Sequence, residues 1–169
     1  EKDEVNPISV YGRTKFYGED LVQKSDANWV ILRSNVVFSF QERTKASFMD
    51  WVVDSLKNRQ SITVVDDQWN NPTWTVDLAR IISRIIDHEI QGLYHYGGRD
   101  LLNRFAFAEM IAETFKLDRT LIEPIDTASL NQLAKRPLKS GLRPEKIEID
   151  LSVEALPLRK ALDEIYSLS

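Results

Sequence analysis

The amino-acid sequence predicts an α/β fold in which helices alternate with largely parallel strands. Short runs of β-branched and aromatic residues recur along the 169 residues, and segments with apolar residues at helical spacing separate them. Parallel strands need crossover connections, usually helices, so this alternation favours parallel pairing. Hydrophobic residues make up 43% of the chain, which is enough for one domain with a packed core.

The first half of the chain contains two predicted helices and two predicted strands. Residues 12–24 are expected to form a helix, and a polar break follows. Residues 29–32 form a continuous apolar run, which predicts a strand buried on both faces. After the polar stretch 41–45, helical spacing of apolar residues predicts an amphipathic helix: Phe48, Trp51, Val52 and Leu56. Residues 62–65 are the second predicted strand.

Turn and capping residues divide the middle of the chain. Asn70, Asn71 and Pro72 predict a turn, and Thr75 is the expected N-cap of the next helix. That helix carries an apolar stripe: Leu78, Ile81, Ile82, Ile85 and Ile86. Residues 92–96 form the third predicted strand, and Asn103 is expected to cap the helix after it. The apolar side of that helix is Phe105, Ala108, Ile111, Ala112 and Phe115.

Prolines shape the expectations for the C-terminal third. Residues 121–125 predict a fourth strand at a sheet edge, because Pro124 cannot donate to a ladder. A short helix is expected at 128–134, and irregular structure is expected at 136–149, which contains two prolines. A closing helix is predicted over residues 151–166, with Pro157 near its start.

Composition excludes several classes of function. There are 26 acidic and 22 basic residues, so charge offers no reason to expect nucleic acid as a partner. The chain has no cysteine, which excludes disulfides, thiolate metal sites and a cysteine nucleophile. Two isolated histidines predict no metal site. The apolar runs are too short to span a bilayer, and no signal-peptide pattern opens the chain, so a cytoplasmic protein is expected.

Tyr11 and Lys15 are the residues best suited to acid–base chemistry. Their spacing of four places them on one face of the predicted helix, one turn apart. A phenol has an ordinary pKa of about 10, and a neighbouring ammonium stabilises the phenolate. Such a pair can exchange a proton with a carbonyl and alcohol couple. The spacing alone equally fits an amphipathic helix with an interfacial tyrosine and a solvated lysine.

The residues around this pair form a longer motif. It resembles the active-site helix of the extended short-chain dehydrogenases/reductases at seven positions: Pro7, Tyr11, Gly12, Thr14, Lys15, Gly18 and Glu19. Residues 29–38 look like the strand and loop that follow that helix. Residues 67–79 are similar to the Asp-Gln-x-Gly-x-Pro-Thr segment of the dTDP-4-dehydrorhamnose reductase subgroup, and residues 92–95 and 136–142 also fit it. The matches run in order along nearly the whole chain.

The resemblance implies both a fold and a reaction. Residues 1–169 would be the C-terminal part of a Rossmann-type doubly wound parallel sheet, together with the substrate-binding elements. The implied reaction is reduction of a nucleotide-linked 4-keto-6-deoxy sugar, with NADP(H) or NAD(H) as cofactor. Tyr11 would donate a proton to the sugar ketone. Lys15 would hold the nicotinamide ribose and activate Tyr11.

The same resemblance implies further site residues. On the nicotinamide side, beside Tyr11 and Lys15, they are Arg33, Ser34, Asn35 and Val36. On the side of the nucleotide sugar they are Val36, Asn70, Asn71 and Arg136. Structural roles also fit: a strand cap for Arg33, a turn for the two asparagines, and a solvated position for Arg136.

Departures from the subgroup leave alternatives open. Val36 stands where the subgroup has Trp, while Ser39 and Asn70 each stand where it has Gly, so the sugar is not determined. None of the six glycines forms a dinucleotide fingerprint, so a separate N-terminal half of the same protein is the expected partner. One alternative is a non-catalytic nucleotide-binding subunit similar to the regulatory subunit of methionine adenosyltransferase. Another is a different nucleotide-sugar reductase or epimerase, and a homodimer is compatible with each.

Overall fold

The computed structural model describes residues 1–40, 47–130 and 134–169. Its helices are α1 (Val10–Gln23), α2 (Phe48–Lys57), α3 (Thr75–Asp87), α4 (Arg104–Thr114), α5 (Glu145–Leu151) and α6 (Leu158–Leu168). Its strands are β1 (Val30–Arg33), β2 (Val37–Phe38), β3 (Ile62–Val65), β4 (Trp69–Asn70), β5 (Thr73–Trp74), β6 (Gly92–His95), β7 (Leu102–Asn103) and β8 (Ile122–Ile125). A single 3-10 turn precedes β8 at Arg119–Leu121.

Parallel pairing dominates the strands that the structure describes. β1 pairs with β6, β2 with β5, and β3 with β8, all in parallel. The short strands β4 and β7 pair antiparallel. This arrangement confirms the α/β class and the four longer strands predicted from the sequence, including the pairing of the Pro124 strand with one neighbour. The two-residue strands were not predicted, because so few residues carry no periodic signal.

Local hydrogen bonds explain where three of the helices begin. Ser9 Oγ accepts from the Gly12 amide 3.1 Å away at the start of α1. Ser47 and Asp50 form a capping box at α2. Asn103 caps α4 as predicted, its Oδ1 accepting from the Ala106 amide at 2.7 Å. The prediction for Thr75 is wrong: it is the first residue of α3, and Trp74 occupies the cap position.

The C-terminal third departs most from the sequence-based expectation. A helix, α5, begins inside the stretch 136–149 that was predicted to be irregular, directly after Pro144, and extends two residues beyond that stretch. The closing helix begins at Leu158 instead of residue 151, because α5 ends there, Ser152 adopts a left-handed conformation at φ 50° and Pro157 precedes the new start. Residues 127–130 form a turn where a helix was expected. Residues 131–133 and the polar stretch 41–45 lie outside the described residues.

Two groups of buried side chains hold the elements together. In the larger core, the Phe107 ring lies 5.2 Å from the Phe38 ring and 5.4 Å from the Phe48 ring, and Val36 packs against this core. The smaller core joins α3, β6 and α5. Ile81 and Ile85 of α3 are buried there, whereas the remaining two isoleucines of the predicted stripe are exposed.

The first strand and helix are more exposed than their sequences suggest. The prediction that residues 29–32 are buried on both faces is wrong, because Val30 is exposed and the rest of β1 is half-buried. No residue of α1 is buried, so this helix does not cover β1. Within the three described ranges, no helix has the length and apolarity needed to cross a membrane.

Substitution of two glycines, Gly98 and Gly18, tests the packing. Gly98→Ala is expected to lower the free energy of unfolding by about 1–3 kcal/mol, as overpacking does. A Cβ there would lie 2.1 Å from the Pro72 carbonyl oxygen. Gly18→Ala in α1 is the control, since nothing lies within 4 Å of its Cβ position, and a gain of up to about 1 kcal/mol is expected. Denaturant titration measures both, and equal stabilities would contradict this close approach.

Candidate active site

A cleft of about 640 Å³ brings together side chains from distant parts of the chain. Six of the residues singled out in the sequence line it: Tyr11, Ser34, Asn35, Val36, Asn70 and Arg136. Gln68, Arg104 and Ser140 line it as well. Lys15, Arg33 and Asn71 are not among the lining residues. The carboxyl end of β1 contributes the loop at its centre, which is where ligands bind in parallel α/β sheets.

Helix α1 presents Tyr11 to this cleft and Lys15 beside it. Ser9 caps the helix, so Tyr11 falls in its first turn with 71% of the side chain exposed. The Lys15 ammonium lies over the Tyr11 ring, with Nζ 5.6 Å from the ring centroid. The spacing of four therefore brings the two side chains into contact, as helical geometry requires.

The loop between β1 and β2 carries unpaired polar atoms. Ser34 Oγ and Asn35 Oδ1 are buried and have no hydrogen-bond partner within the part of the chain that the structure describes. The Asn35 amide nitrogen donates to the Ser140 carbonyl. Val36 follows with φ 42°, a left-handed conformation that is costly for a β-branched residue. Unpaired atoms and backbone strain beside a cleft are features of ligand-binding loops.

Asn70 and Asn71 are adjacent in the sequence, but at strand β4 they face two different clefts. Side chains alternate along a strand, so Gln68 and Asn70 face this cleft whereas Trp69 and Asn71 line a second cleft. Both ends of the Asn71 amide are engaged there, since its Nδ2 donates to the Gly98 carbonyl at 3.0 Å and its Oδ1 accepts from the Leu142 amide at 2.8 Å. The structure therefore places Asn70 in the site and makes Asn71 a link between loops.

Two arginines converge in the cleft. Arg104 is the first residue of α4, and its guanidinium lies over the Phe48 ring, 5.1 Å from the centroid. Burial, and next the charge of Arg136, lower the pKa of Arg104 from its usual range. Neither arginine has an ion-pair partner among the residues the structure describes. Two guanidinium groups that converge on one cleft favour an anionic ligand such as a phosphate.

A smaller chamber of about 240 Å³ continues from these arginines. Gln68, Arg104 and Arg136 line both spaces. The aromatic side chains of Phe48 and Trp51 line only the smaller one. The combined cavity thus has a polar end at Tyr11, a cationic middle and an aromatic end.

Arg33 is engaged outside the cleft. Its Nε donates to Glu19 Oε1 at 2.9 Å and its Nη2 donates to Glu19 Oε2 at 2.5 Å. These hydrogen bonds raise the pKa of Arg33 above its usual range. Arg33 Nη1 also lies 3.3 Å from Nε2 of His95 at the end of β6. The guanidinium thus ties β1 to α1 and β6.

The environment of His95 predicts a pH-dependent stability. Burial lowers the pKa of His95 in the folded protein, so the folded state binds fewer protons than the unfolded state. The folded state should therefore lose stability as the pH falls through about 6.5, where an unfolded histidine titrates. We expect His95→Gln to flatten the change in melting temperature between about pH 7.5 and about pH 5. The exposed His88 provides the control variant His88→Gln, and parallel curves for both variants would contradict this role.

Sequence patterns did not identify Arg104 and Gln68 as site residues, nor the chamber lined by Phe48 and Trp51. Period-two alternation would have paired Gln68 with Asn70 once β4 was recognised as a strand. No local signal places Arg104 beside Arg136, because only the tertiary fold joins them. Within the described residues, no group of acidic or histidine side chains is arranged to hold a metal ion.

Comparison with known proteins gives consistent matches. The model of the RmlD substrate binding domain family matches residues 1–168. A dTDP-4-dehydrorhamnose reductase from Aggregatibacter actinomycetemcomitans is 30% identical, with 98% of this chain and 59% of that protein covered. Methionine adenosyltransferase 2 subunit beta from Danio rerio is 25% identical, with 96% of this chain and 52% of that protein covered. The chain thus spans about half the length of these relatives.

One solved structure shows the same fold. The dTDP-4-dehydrorhamnose reductase from Bacillus anthracis, determined in complex with NADP, superposes with a TM-score of 0.90 at 23% identity. The superposition covers 100% of this chain and 59% of that one. This confirms the predicted Rossmann-type α/β class.

Proposed function

The chain belongs to the RmlD substrate binding domain family, and we propose that it supplies the proton donor and substrate cleft of a nucleotide-sugar reductase. The observation that carries this proposal is the single cavity that joins Tyr11, with Lys15 beside it, to the two arginines Arg104 and Arg136. An acid–base group and an anion site in one cleft suit a carbonyl substrate that carries phosphate.

The proposed reaction reduces the 4-keto group of a 6-deoxy sugar. The hydride for the carbonyl carbon would come from a reduced nicotinamide, of NADPH or NADH, when it is bound. The Tyr11 hydroxyl donates its proton to the carbonyl oxygen as the C=O double bond becomes a C–OH single bond. The Lys15 ammonium stabilises the phenolate that remains, and solvent returns the proton. Ser34 and Asn35 fit the nicotinamide side, because each has a buried oxygen available to accept a hydrogen bond.

The remaining cavity suits the nucleotide part of the substrate. Arg104 and Arg136 would bind the diphosphate, which guanidinium groups recognise in bidentate geometry. The chamber lined by Phe48 and Trp51 would take the nucleoside ring, with its flat face against aromatic surface. The order of sugar, diphosphate and base then follows the order of polar, cationic and aromatic surfaces. The proposed ligand is therefore a nucleoside diphosphate sugar.

The proposal places the cofactor's phosphates outside this chain. A dinucleotide pyrophosphate needs a Gly-rich turn at a helix N-terminus, and the six glycines here form no such turn. Relatives of about twice the length have room for it. In the intact protein, a further segment would bind the pyrophosphate while residues 1–169 bind the sugar nucleotide.

A non-catalytic regulatory subunit is the second candidate. The similarity to methionine adenosyltransferase 2 subunit beta favours it. So does the replacement of the subgroup's aromatic and glycine residues by Val36 and Asn70. In that case the cleft would bind a nucleotide without turnover, and the chain would act through a partner enzyme.

An assay of the intact protein separates the candidates. The protein is mixed with dTDP-4-keto-6-deoxyglucose or dTDP-4-dehydrorhamnose and either NADPH or NADH, and oxidation of the nicotinamide is followed. Stoichiometric formation of the reduced sugar nucleotide supports the reductase. An epimerised product without net oxidation of cofactor would redirect the proposal to an epimerase. Binding without any turnover would favour the regulatory subunit.

A further inference from the structure

Lys15 has two neighbours on the same face of α1. Tyr11 lies one turn before it and Glu19 lies one turn after it, each at a spacing of four. A lysine and a glutamate at this spacing attract each other, although less strongly in this order than with the glutamate first. Such a pair would draw the ammonium towards the C-terminal end of the helix, away from the phenol. The helix therefore contains a competing partner for Lys15.

Arg33 binds Glu19, the residue that would otherwise compete for Lys15. It bonds both carboxylate oxygens of Glu19, at 2.9 Å and 2.5 Å, and the two side chains are only 23% and 18% exposed. A two-point guanidinium–carboxylate contact is stronger and more directional than a lysine contact across an exposed helix surface. Lys15 has no ion-pair partner in the described part of the chain, and its ammonium lies over Tyr11 instead.

We propose that Arg33 is a positioning residue: by holding Glu19, it leaves the Lys15 ammonium free to act on the Tyr11 phenol. The inference rests on the proposed function for the meaning of Tyr11, but the competition itself is a property of α1 and β1. It assigns Arg33 a role away from the nicotinamide, which agrees with its absence from the lining of the cleft.

The same contact orients the helix. No residue of α1 is buried, and within the described ranges Glu19 makes the only side-chain hydrogen bonds from α1 to another element. Tyr11, Lys15 and Glu19 follow one another along one helical face, so fastening Glu19 also sets the rotation of Tyr11. A purely structural clamp would share this second effect, and the experiment must separate the two.

Arg33→Met in the intact protein removes the guanidinium and keeps an unbranched stem. Glu19 is then free to pair with Lys15, and the phenolate of Tyr11 loses its nearest cation. The nuclear Overhauser cross-peaks between the Lys15 side chain and the Tyr11 ring should therefore be lost from the NMR spectrum. If Tyr11 is the proton donor, turnover falls in the same variant.

The second substitution tests the competition directly. In the double variant Arg33→Met/Glu19→Gln the link to β1 is still missing, but the competing charge is gone. The Lys15–Tyr11 cross-peaks should return to the wild-type intensity, and most of the lost turnover should return with them. A structural clamp predicts the opposite, since the double variant would be as impaired as Arg33→Met.

Two further variants keep the test decisive. Glu19→Gln alone should leave the Lys15–Tyr11 cross-peaks at or above the wild-type intensity, which is informative even if Arg33→Met does not fold. Arg119→Met is the control, because Arg119 forms an ion pair with Glu109 on an exposed surface, and it should change nothing. Unchanged cross-peaks in a folded Arg33→Met variant overturn the inference. The NMR measurement needs no substrate, so it stands apart from failure of the proposed reaction.

Discussion

Tyr11→Phe is expected to reduce the turnover of the ketosugar by about 10²- to 10⁴-fold in the intact protein, the usual contribution of a general acid. The substitution removes the hydroxyl and keeps the ring under the Lys15 ammonium. The proton for the carbonyl oxygen would then have to come from water. Because the hydroxyl acts in the transition state, kcat should fall much more than KM rises. Steady-state kinetics with saturating nicotinamide measures both.

Tyr17→Phe is the matched control for this substitution. Tyr17 lies on the same helix and is 61% exposed, but it does not line the cleft. Its loss should leave kcat within about twofold of the wild-type value, as is usual for exposed positions without a specific role. Full turnover by Tyr11→Phe would remove Tyr11 from the mechanism and favour a regulatory role for the chain.

Arg104→Met and Arg136→Met are expected to raise KM for the nucleotide sugar by about 10- to 100-fold each, with a smaller effect on kcat. Truncating one partner of a buried charge pair costs on the order of 2–5 kcal/mol, and we expect less here because Arg104 is half-buried, Arg136 is exposed and the second arginine remains. The double variant should be less than additive, since both groups contact one diphosphate. Binding should also weaken as salt is raised, more steeply for the wild type than for either variant.

The opposite face of β4 provides the control for the arginines. Arg143 lines the second cleft with Trp69 and is exposed to solvent. Arg143→Met should leave KM unchanged. If all three variants bind the nucleotide sugar like the wild type, the diphosphate does not lie between Arg104 and Arg136.

Sequence patterns predicted those features of the fold that depend on neighbouring residues. Asn103 caps α4 because its side chain reaches an amide three residues away, and that signal is visible in the sequence. The apolar run before Arg33 predicted a strand because that signal too lies in neighbouring residues. Pro157 illustrates the limit, because its position near a helix was foreseen but the separate helix before it was not. Where a helix stops depends on packing that a local pattern does not contain.

The candidate site was predictable only where a motif spans it. The contact of Tyr11 with Lys15 follows from helical geometry, and both residues stand in a recognisable motif. The separation of Asn70 from Asn71 required knowledge that β4 is a strand. The role of Arg33 required knowledge of Glu19 as its partner, because a guanidinium at a strand end serves a ligand or an ion pair equally well. Contacts between residues far apart in the sequence determine whether such a side chain binds a ligand or stabilises the fold.

The two faces of β4 constrain how the length of this chain can vary. The strand and the residue on either side of it supply Gln68 and Asn70 to the candidate site and Trp69 and Asn71 to the opposite side. Deleting or inserting a single residue just before it would exchange these two sets, since side chains alternate with a period of two. The site would then receive the indole of Trp69 in place of the Asn70 amide. The hydrogen bond from Asn71 to the Gly98 carbonyl would be lost. Homologous proteins should therefore tolerate substitutions in this segment far more readily than changes of one residue in its length.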